Sequence, residues 1–192
     1  MKKKNSPSFD FMKRTRSGLI ILIVLTSFLF LSGCCTFFLA DIHGSLKGDE
    51  TGAGVALKAG TLPLSEKVAL NGEISYDYLS FLNGNDNLFK ATTQIRHSTE
   101  KSPLWFGGEV GVVRDISVYD ESYWDENPAA NGFTIGALAG YRLPVESLDM
   151  NVFTGLSLIS FGDFMSNEQI VEPSHSTIHF RVGLEVALPF SK

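Results

Sequence analysis

The sequence predicts an all-β fold, eight antiparallel strands running up and down and closed into a barrel, on three observations. Apolar and polar residues alternate at a period of two in segment after segment from Phe37 to Phe190. The polar sides of these segments mix charges of both signs with glycine. The connections are short at one end, while two at the other end are long, polar and acidic. Period-two alternation belongs to strands whose two faces meet different media. The stretch Thr177–Phe190 states it most strictly. Ile178, Phe180, Val182, Leu184, Val186, Leu188 and Phe190 fall on one side, and His179, Arg181, Gly183, Glu185, Ala187 and Pro189 on the other.

Seven further segments precede it. The first sets Ala40, Ile42, Gly44 and Leu46 against Asp41, His43, Ser45 and Lys47, and Gly48–Gly52 then turns the chain. The second sets Val55, Leu57 and Ala59 against Ala56, Lys58 and Gly60, and ends at Pro63–Lys67. In the third, Leu70, Ile74, Tyr76 and Tyr78 oppose Asn71, Glu73, Ser75 and Asp77. Asn83-Gly84-Asn85-Asp86 carries strong turn chemistry. The fourth sets Phe89, Ala91, Thr93 and Ile95 against Lys90, Thr92, Gln94 and Arg96, with His97–Pro103 as connection. The fifth, Leu104 to Tyr119, opposes Phe106, Val110, Val112, Ile116 and Val118 to Gly107, Glu109, Gly111, Asp115 and Ser117; Arg114 interrupts its apolar side. Asp120–Asn131 is a long connection. The sixth opposes Phe133, Ile135, Ala137, Ala139, Tyr141 and Leu143 to Thr134, Gly136, Gly140 and Arg142, and turns at Pro144–Ser147. The seventh opposes Met150, Val152, Leu156 and Leu158 to Asn151, Phe153, Gly155 and Ser157, and Gly162–Ser174 leads to the last strand.

Alternation alone does not distinguish a transmembrane barrel from a lipocalin-like barrel or a sandwich, because each has one apolar face per strand. The polar face decides. Glycine on a solvent-facing strand only weakens it. Inside a narrow barrel the same glycines leave room for long charged side chains reaching across from other strands. A lumen network of Glu73, Asp77, Lys90, Arg96, Glu109, Arg142, Arg181 and Glu185 is therefore expected, with opposed charges plugging the barrel. Aromatics near the strand ends, such as Tyr76, Tyr78, Trp105, Phe133 and Tyr141, suit interfacial girdles. An even strand count with short turns at one end and longer loops at the other is the pattern of a transmembrane β-barrel.

The 192 residues suffice for one domain. The overall charge of −5 hides a division: 6 of the 16 basic residues precede Gly18, against Asp10 alone of the 21 acidic ones. An acidic remainder excludes nucleic acid as a partner. The basic start and the apolar run Leu19–Leu31 form the n- and h-regions of an export signal. Residues 1–33 are thus expected to be a signal peptide and 34–192 the barrel domain. An uncleaved helix over Leu19–Ala40 and cleavage without lipid are the alternatives. Both cysteines, Cys34 and Cys35, lie at this junction, so no disulfide or thiolate metal site is expected beyond it.

Two resemblances follow from these residues. Leu31-Ser32-Gly33-Cys34 resembles the lipobox of bacterial lipoproteins, which implies acylation of Cys34. Gly183-Leu184-Glu185-Val186-Ala187-Leu188-Pro189-Phe190 resembles the C-terminal signal of bacterial outer-membrane barrels, although Ser191 and Lys192 follow the aromatic where that family ends on it. Strand count and loop order resemble the small OmpA and OmpX type barrels. This implies outer-membrane lipid, lipopolysaccharide and the barrel-assembly machinery as partners, a monomer, and a location in the bacterial outer membrane.

Catalytic motifs are absent: there is no nucleophile elbow, P-loop, zinc motif or EF-hand loop, and no cofactor or metal is implied. Two histidine–hydroxyl clusters, His97-Ser98-Thr99 and His175-Ser176-Thr177 with Glu172 nearby, invite comparison with lipid A deacylases. That family carries His-x-Ser followed by asparagine, which neither cluster matches. The acidic, aromatic loop of Asp120, Glu121, Tyr123, Trp124, Asp125 and Glu126 is the candidate surface for an extracellular partner or divalent cations. The function expected is non-enzymatic, structural, adhesive or protective of the envelope. A lipid A modifying hydrolase or acyltransferase is the alternative. So is a soluble barrel tethered at Cys34, with its apolar rows turned inward around a ligand.

Overall fold

The computed structural model describes residues 35–61, 67–82, 84–99, 102–119, 127–145 and 148–188. Eight long strands carry the fold: β1 (Cys35–Lys47), β2 (Glu50–Thr61), β3 (Val68–Phe81), β4 (Gly84–Ser98), β5 (Leu104–Tyr119), β6 (Ala129–Arg142), β7 (Met150–Phe161) and, after a short hairpin of β8 (Phe164–Ser166) and β9 (Gln169–Glu172), β10 (Ser176–Leu188). Each long strand pairs antiparallel with its sequence neighbours, and β1 pairs with β10 to complete the ring. The result is a closed eight-stranded up-and-down barrel, which leaves no long strand edge unpaired. At the seam Asp41 stands opposite Glu185 and Lys47 opposite His179.

The pleat assigns every second side chain to the lumen. Along β3 and β4 buried positions alternate with exposed or half-buried ones, so that Asn71, Glu73, Ser75 and Asp77 are buried while Ile74 and Tyr78 are exposed. The outward rows are apolar on every long strand, and their middles stand open: Ile42 is 63% exposed, Leu57 63%, Ile74 57% and Ile135 56%. These values overturn the tethered, ligand-lined alternative, since the apolar rows face out and the charges face in. Arg114 also points outward, from near the loop end of β5.

Two elements differ from the sequence-based expectation. Asn83–Asp86 is not a four-residue turn, because β4 begins at Gly84 and Phe81 already pairs with it. Gly84 serves strand approach there: a Cβ would lie 2.3 Å from the Val118 carbonyl oxygen. Asp86 points inward to Lys47. Likewise only Gly48 and Asp49 separate β1 from β2, with Gly48 at φ 63° in the left-handed region that glycine adopts without a Cβ clash. The second difference is the β8–β9 hairpin within 162–175. Asn167 and Glu168, at φ 49° and 64°, make its tight turn, and it docks on β6 through Ala129 and Met165. Of the Leu19–Ala40 segment, Cys35–Ala40 belongs to β1, and residues 19–34 lie outside the described residues.

Candidate functional site

The lumen is the site, and it is built in layers. Nearest the turn end, Trp105, Leu138 and Phe153 form a small apolar cluster. Gly140 permits it, since a Cβ there would lie 2.3 Å from the indole ring. The Arg96 guanidinium stacks over Trp105 at 4.3 Å, and the Lys58 ammonium lies 4.5 Å from the centre of the Phe153 ring.

The next layers are ionic. Arg96 donates to both oxygens of Glu185, each at 2.7 Å, in the bidentate geometry that suits guanidinium to carboxylate. Lys58 reaches Glu185 at 2.7 Å, Asp41 at 2.6 Å and Glu73 at 3.3 Å. Arg181, fully buried, spans Glu73 at 2.8 Å and Glu109 at 2.6 Å. Gln94 donates to Glu73 at 2.6 Å, Ser157 to Glu109 at 2.5 Å and Asn151 to Glu185 at 3.2 Å. Higher up, Asp77 accepts from Ser45, sits 2.8 Å from His43 Nε2 and 3.3 Å from the Lys90 ammonium, and His43 Nδ1 lies 2.6 Å from Asp41. His179 completes this layer, 3.3 Å from Lys90. Gly54 makes the His43–Asp77 crossing possible, for a Cβ there would stand 2.5 Å from the imidazole and 2.7 Å from the carboxylate.

Above the ions lies an apolar septum of Leu79, Leu88, Val113, Ala130, Ile159, Phe161 and Phe164. The sequence carries a signal for it. On several strands the polar row turns apolar one step nearer the loop end: Asp77 gives way to Leu79, Lys90 to Leu88 and Ser157 to Ile159. A second, smaller ionic cluster joins Lys47 to Asp86, to Asp115 and, at 3.0 Å, to Glu50. The Phe164 ring stacks on His175 and closes the septum from the hairpin. Cavities therefore occur at the two mouths, about 520 Å³ at the turn end and about 350 Å³ at the loop end.

Of the expected network, Glu73, Asp77, Lys90, Arg96, Glu109, Arg181 and Glu185 are gathered in the ionic layers. Arg142 is a correction. It stands on the inward row but is the last residue of β6, so its side chain projects into the turn-end mouth, 64% exposed, and pairs with Asp149 at 3.2 Å. Asp41, His43, Lys58 and Gln94, all on polar rows, belong to the network as well. Cys34, the loop residues Asp120, Glu121, Tyr123, Trp124, Asp125 and Glu126, and the terminal aromatic Phe190 lie outside the described residues.

The histidine–hydroxyl clusters are not nucleophile–base pairs. Ser176 donates to the Ser160 hydroxyl at 3.2 Å, while His175 Nδ1 lies 3.1 Å from Glu172 and its ring is stacked on Phe164. His97 is exposed on the outward row beside Val68 and Phe106. A relay needs base and nucleophile in mutual hydrogen-bond reach, and neither cluster supplies it. What the lumen does chemically is neutralise charge and fill space.

Fold and lumen together define the class: a small, closed antiparallel barrel with an apolar exterior and a plugged, ionic interior. No protein-family profile and no curated protein sequence matches the chain. Among solved structures it is similar to Neisserial surface protein A, with a TM-score of 0.60 and 12% identity over 80% of this chain and 96% of that one. It is also similar to the N-terminal β-barrel domain of Pseudomonas aeruginosa OprF, with a TM-score of 0.52 and 14% identity over 80% of this chain and 98% of that domain. At such identities the likeness is one of fold.

Proposed function

We propose that this chain is a non-enzymatic barrel of the bacterial outer membrane, exported by residues 1–33, held by lipid on Cys34 and by its own strands, and serving envelope structure or adhesion through its loop end. The observation that carries the reading is the inverted distribution of side chains. An apolar exterior, interrupted by Arg114 near the loop end, encloses charges that are 0–7% exposed, such as Arg181 at 0% and Arg96 at 7%. Water rewards the opposite arrangement, and a hydrocarbon surround rewards this one. The strands of 12–16 residues exceed the roughly 9–11 that a tilted strand needs to cross.

With the termini at the turn end, that end faces the periplasm, and the β8–β9 hairpin and the 120–128 connection face outward. Lipid and lipopolysaccharide are then the partners of the wall, the barrel-assembly machinery that of folding, and an extracellular molecule that of the loops. Among the described residues the ionic layers and the apolar septum fill the middle of the lumen between the two mouth cavities.

Fractionation with gel mobility before and after boiling tests the reading. The chain is expected in the outer membrane, migrating faster unboiled than boiled. Release by osmotic shock, or one mobility in both conditions, refutes it. Fatty-acid labelling lost on Cys34→Ala checks the anchor separately.

A further inference from the structure

Two ion clusters occupy the lumen, and they differ in balance. In the central network Lys58, Lys90, Arg96 and Arg181 face Asp41, Glu73, Asp77, Glu109 and Glu185. His43, with both ring nitrogens on carboxylate oxygens, supplies the fifth cation when it donates at each. At the loop end, among the described residues, Lys47 is the one cation paired with Glu50, Asp86 and Asp115. The apolar septum, with Leu79 and Leu88 fully buried, separates the two clusters. The central cations are thus not in contact with the surplus.

That surplus has unmet hydrogen-bonding capacity. Asp86 Oδ1 and Asp115 Oδ1 are buried without a hydrogen-bond partner, although the other oxygen of each carboxylate meets Lys47. Asp86 is 4% exposed and lines the 350 Å³ cavity together with Glu50, Phe81, Tyr119 and Phe164. Phe81 and Tyr119 meet edge to face at 5.6 Å, giving the cavity an aromatic wall. Among the described residues the connections at this mouth, 48–49, 82, 127–128 and 162–175, hold four Asp and Glu and no Lys or Arg. A concave acidic mouth over a low-dielectric septum concentrates cations. Buried carboxylate oxygens without donors are costly until a donor arrives.

We propose that the loop-end cavity binds a small organic polycation, an alkyl di- or polyamine. One ammonium donates to Asp86 and Glu50, and the methylenes lie against Phe81, Tyr119 and Phe164. A bare metal ion suits the cavity less well. Among the described residues no group of three or more His, Cys, Asp or Glu is arranged to hold one, and the Lys47 ammonium already sits where the three carboxylates converge. That the cavity opens to the exterior rests on the outer-membrane reading; the binding chemistry does not.

Calorimetric titration of the full chain, purified in detergent, with spermidine tests the proposal. A single saturable site is expected, weakened about tenfold in Asp86→Asn and in Glu50→Gln, the loss of one charge-assisted hydrogen bond. Glu168→Gln, an exposed hairpin residue outside the cavity, should bind as the native chain does. Absence of saturable heat, equal affinity in both cavity variants, or displacement of spermidine by magnesium at matched charge would overturn it. Boiled and unboiled mobility of the same samples reports the barrel separately. If Asp86→Asn alone loses its mobility shift, Glu50→Gln decides.

Discussion

Arg181 has no exposed surface and holds two carboxylates that are themselves buried, Glu73 and Glu109, from strands on the far side of the lumen. Removing one member of such a set leaves uncompensated charge in a place water does not reach, which costs about 3–5 kcal/mol. Arg181→Met should therefore lower the urea midpoint of the vesicle-refolded barrel sharply. Combining it with Glu109→Gln should restore most of the loss, because one cation and one carboxylate are then removed together while Glu73 keeps Lys58 at 3.3 Å and the amide of Gln94. A single variant as stable as the native chain would show that the ion set is dispensable. The residue scale also marks how far sequence reading reaches. Period two tells that Arg181, Glu73 and Arg142 all belong to inward rows. It does not give their height along the barrel axis, which depends on how the strands are staggered. Arg142 shares the right row and yet stands in the mouth with Asp149. Arg181 and Glu73, 108 residues apart, meet at one level.

At the scale of elements, the long strands were legible because each repeats its alternation over a dozen residues, and the tight reversals were less so. Asn83-Gly84-Asn85-Asp86 has turn chemistry, but Gly84 and Asp86 are taken up by cross-strand packing and by Lys47, so the ladder extends into it. The β8–β9 hairpin was not legible at all. Its strands of 3 and 4 residues are too short for a period to declare itself. One side chain anchors it: Phe164, 3% exposed, lies between Phe161 and His175 with ring centroids 5.6 Å from each. Phe164→Ala removes that anchor and opens the septum at its outer side. The hairpin should then open locally, with proteolysis at Asn167–Glu168 faster by about tenfold or more, while amide exchange in β3 and β4 stays slow. Equal loss of protection in both places would mean that the hairpin and barrel form one cooperative unit.

For the whole molecule, the question is which medium surrounds the wall, and depth gives a quantitative answer. A charge placed on the lipid face of a barrel costs about 2–4 kcal/mol at the midplane and about 0–1 kcal/mol near the interface. Ile74, 57% exposed at the middle of β3, lies at the centre of the apolar belt. Leu82, 94% exposed, lies beyond the end of the same strand. In water both positions are surface sites, and arginine at either should change stability by no more than a few tenths of a kcal/mol, as surface substitutions do. In a bilayer the two must differ. Ile74→Arg should lower the unfolding free energy of the vesicle-embedded barrel by the midplane amount, and Leu82→Arg should leave it nearly unchanged. Repeating the pair in short-chain detergent, which presents a thinner and more yielding apolar layer, should narrow the difference. Equal effects at both positions in vesicles would remove the wall from the membrane, whatever the interior contains. A graded difference ties the outward rows, the buried ions and the closed ring to one cause: a chain that satisfies its backbone in a ring of strands and its charges in each other, because the surround offers nothing to either.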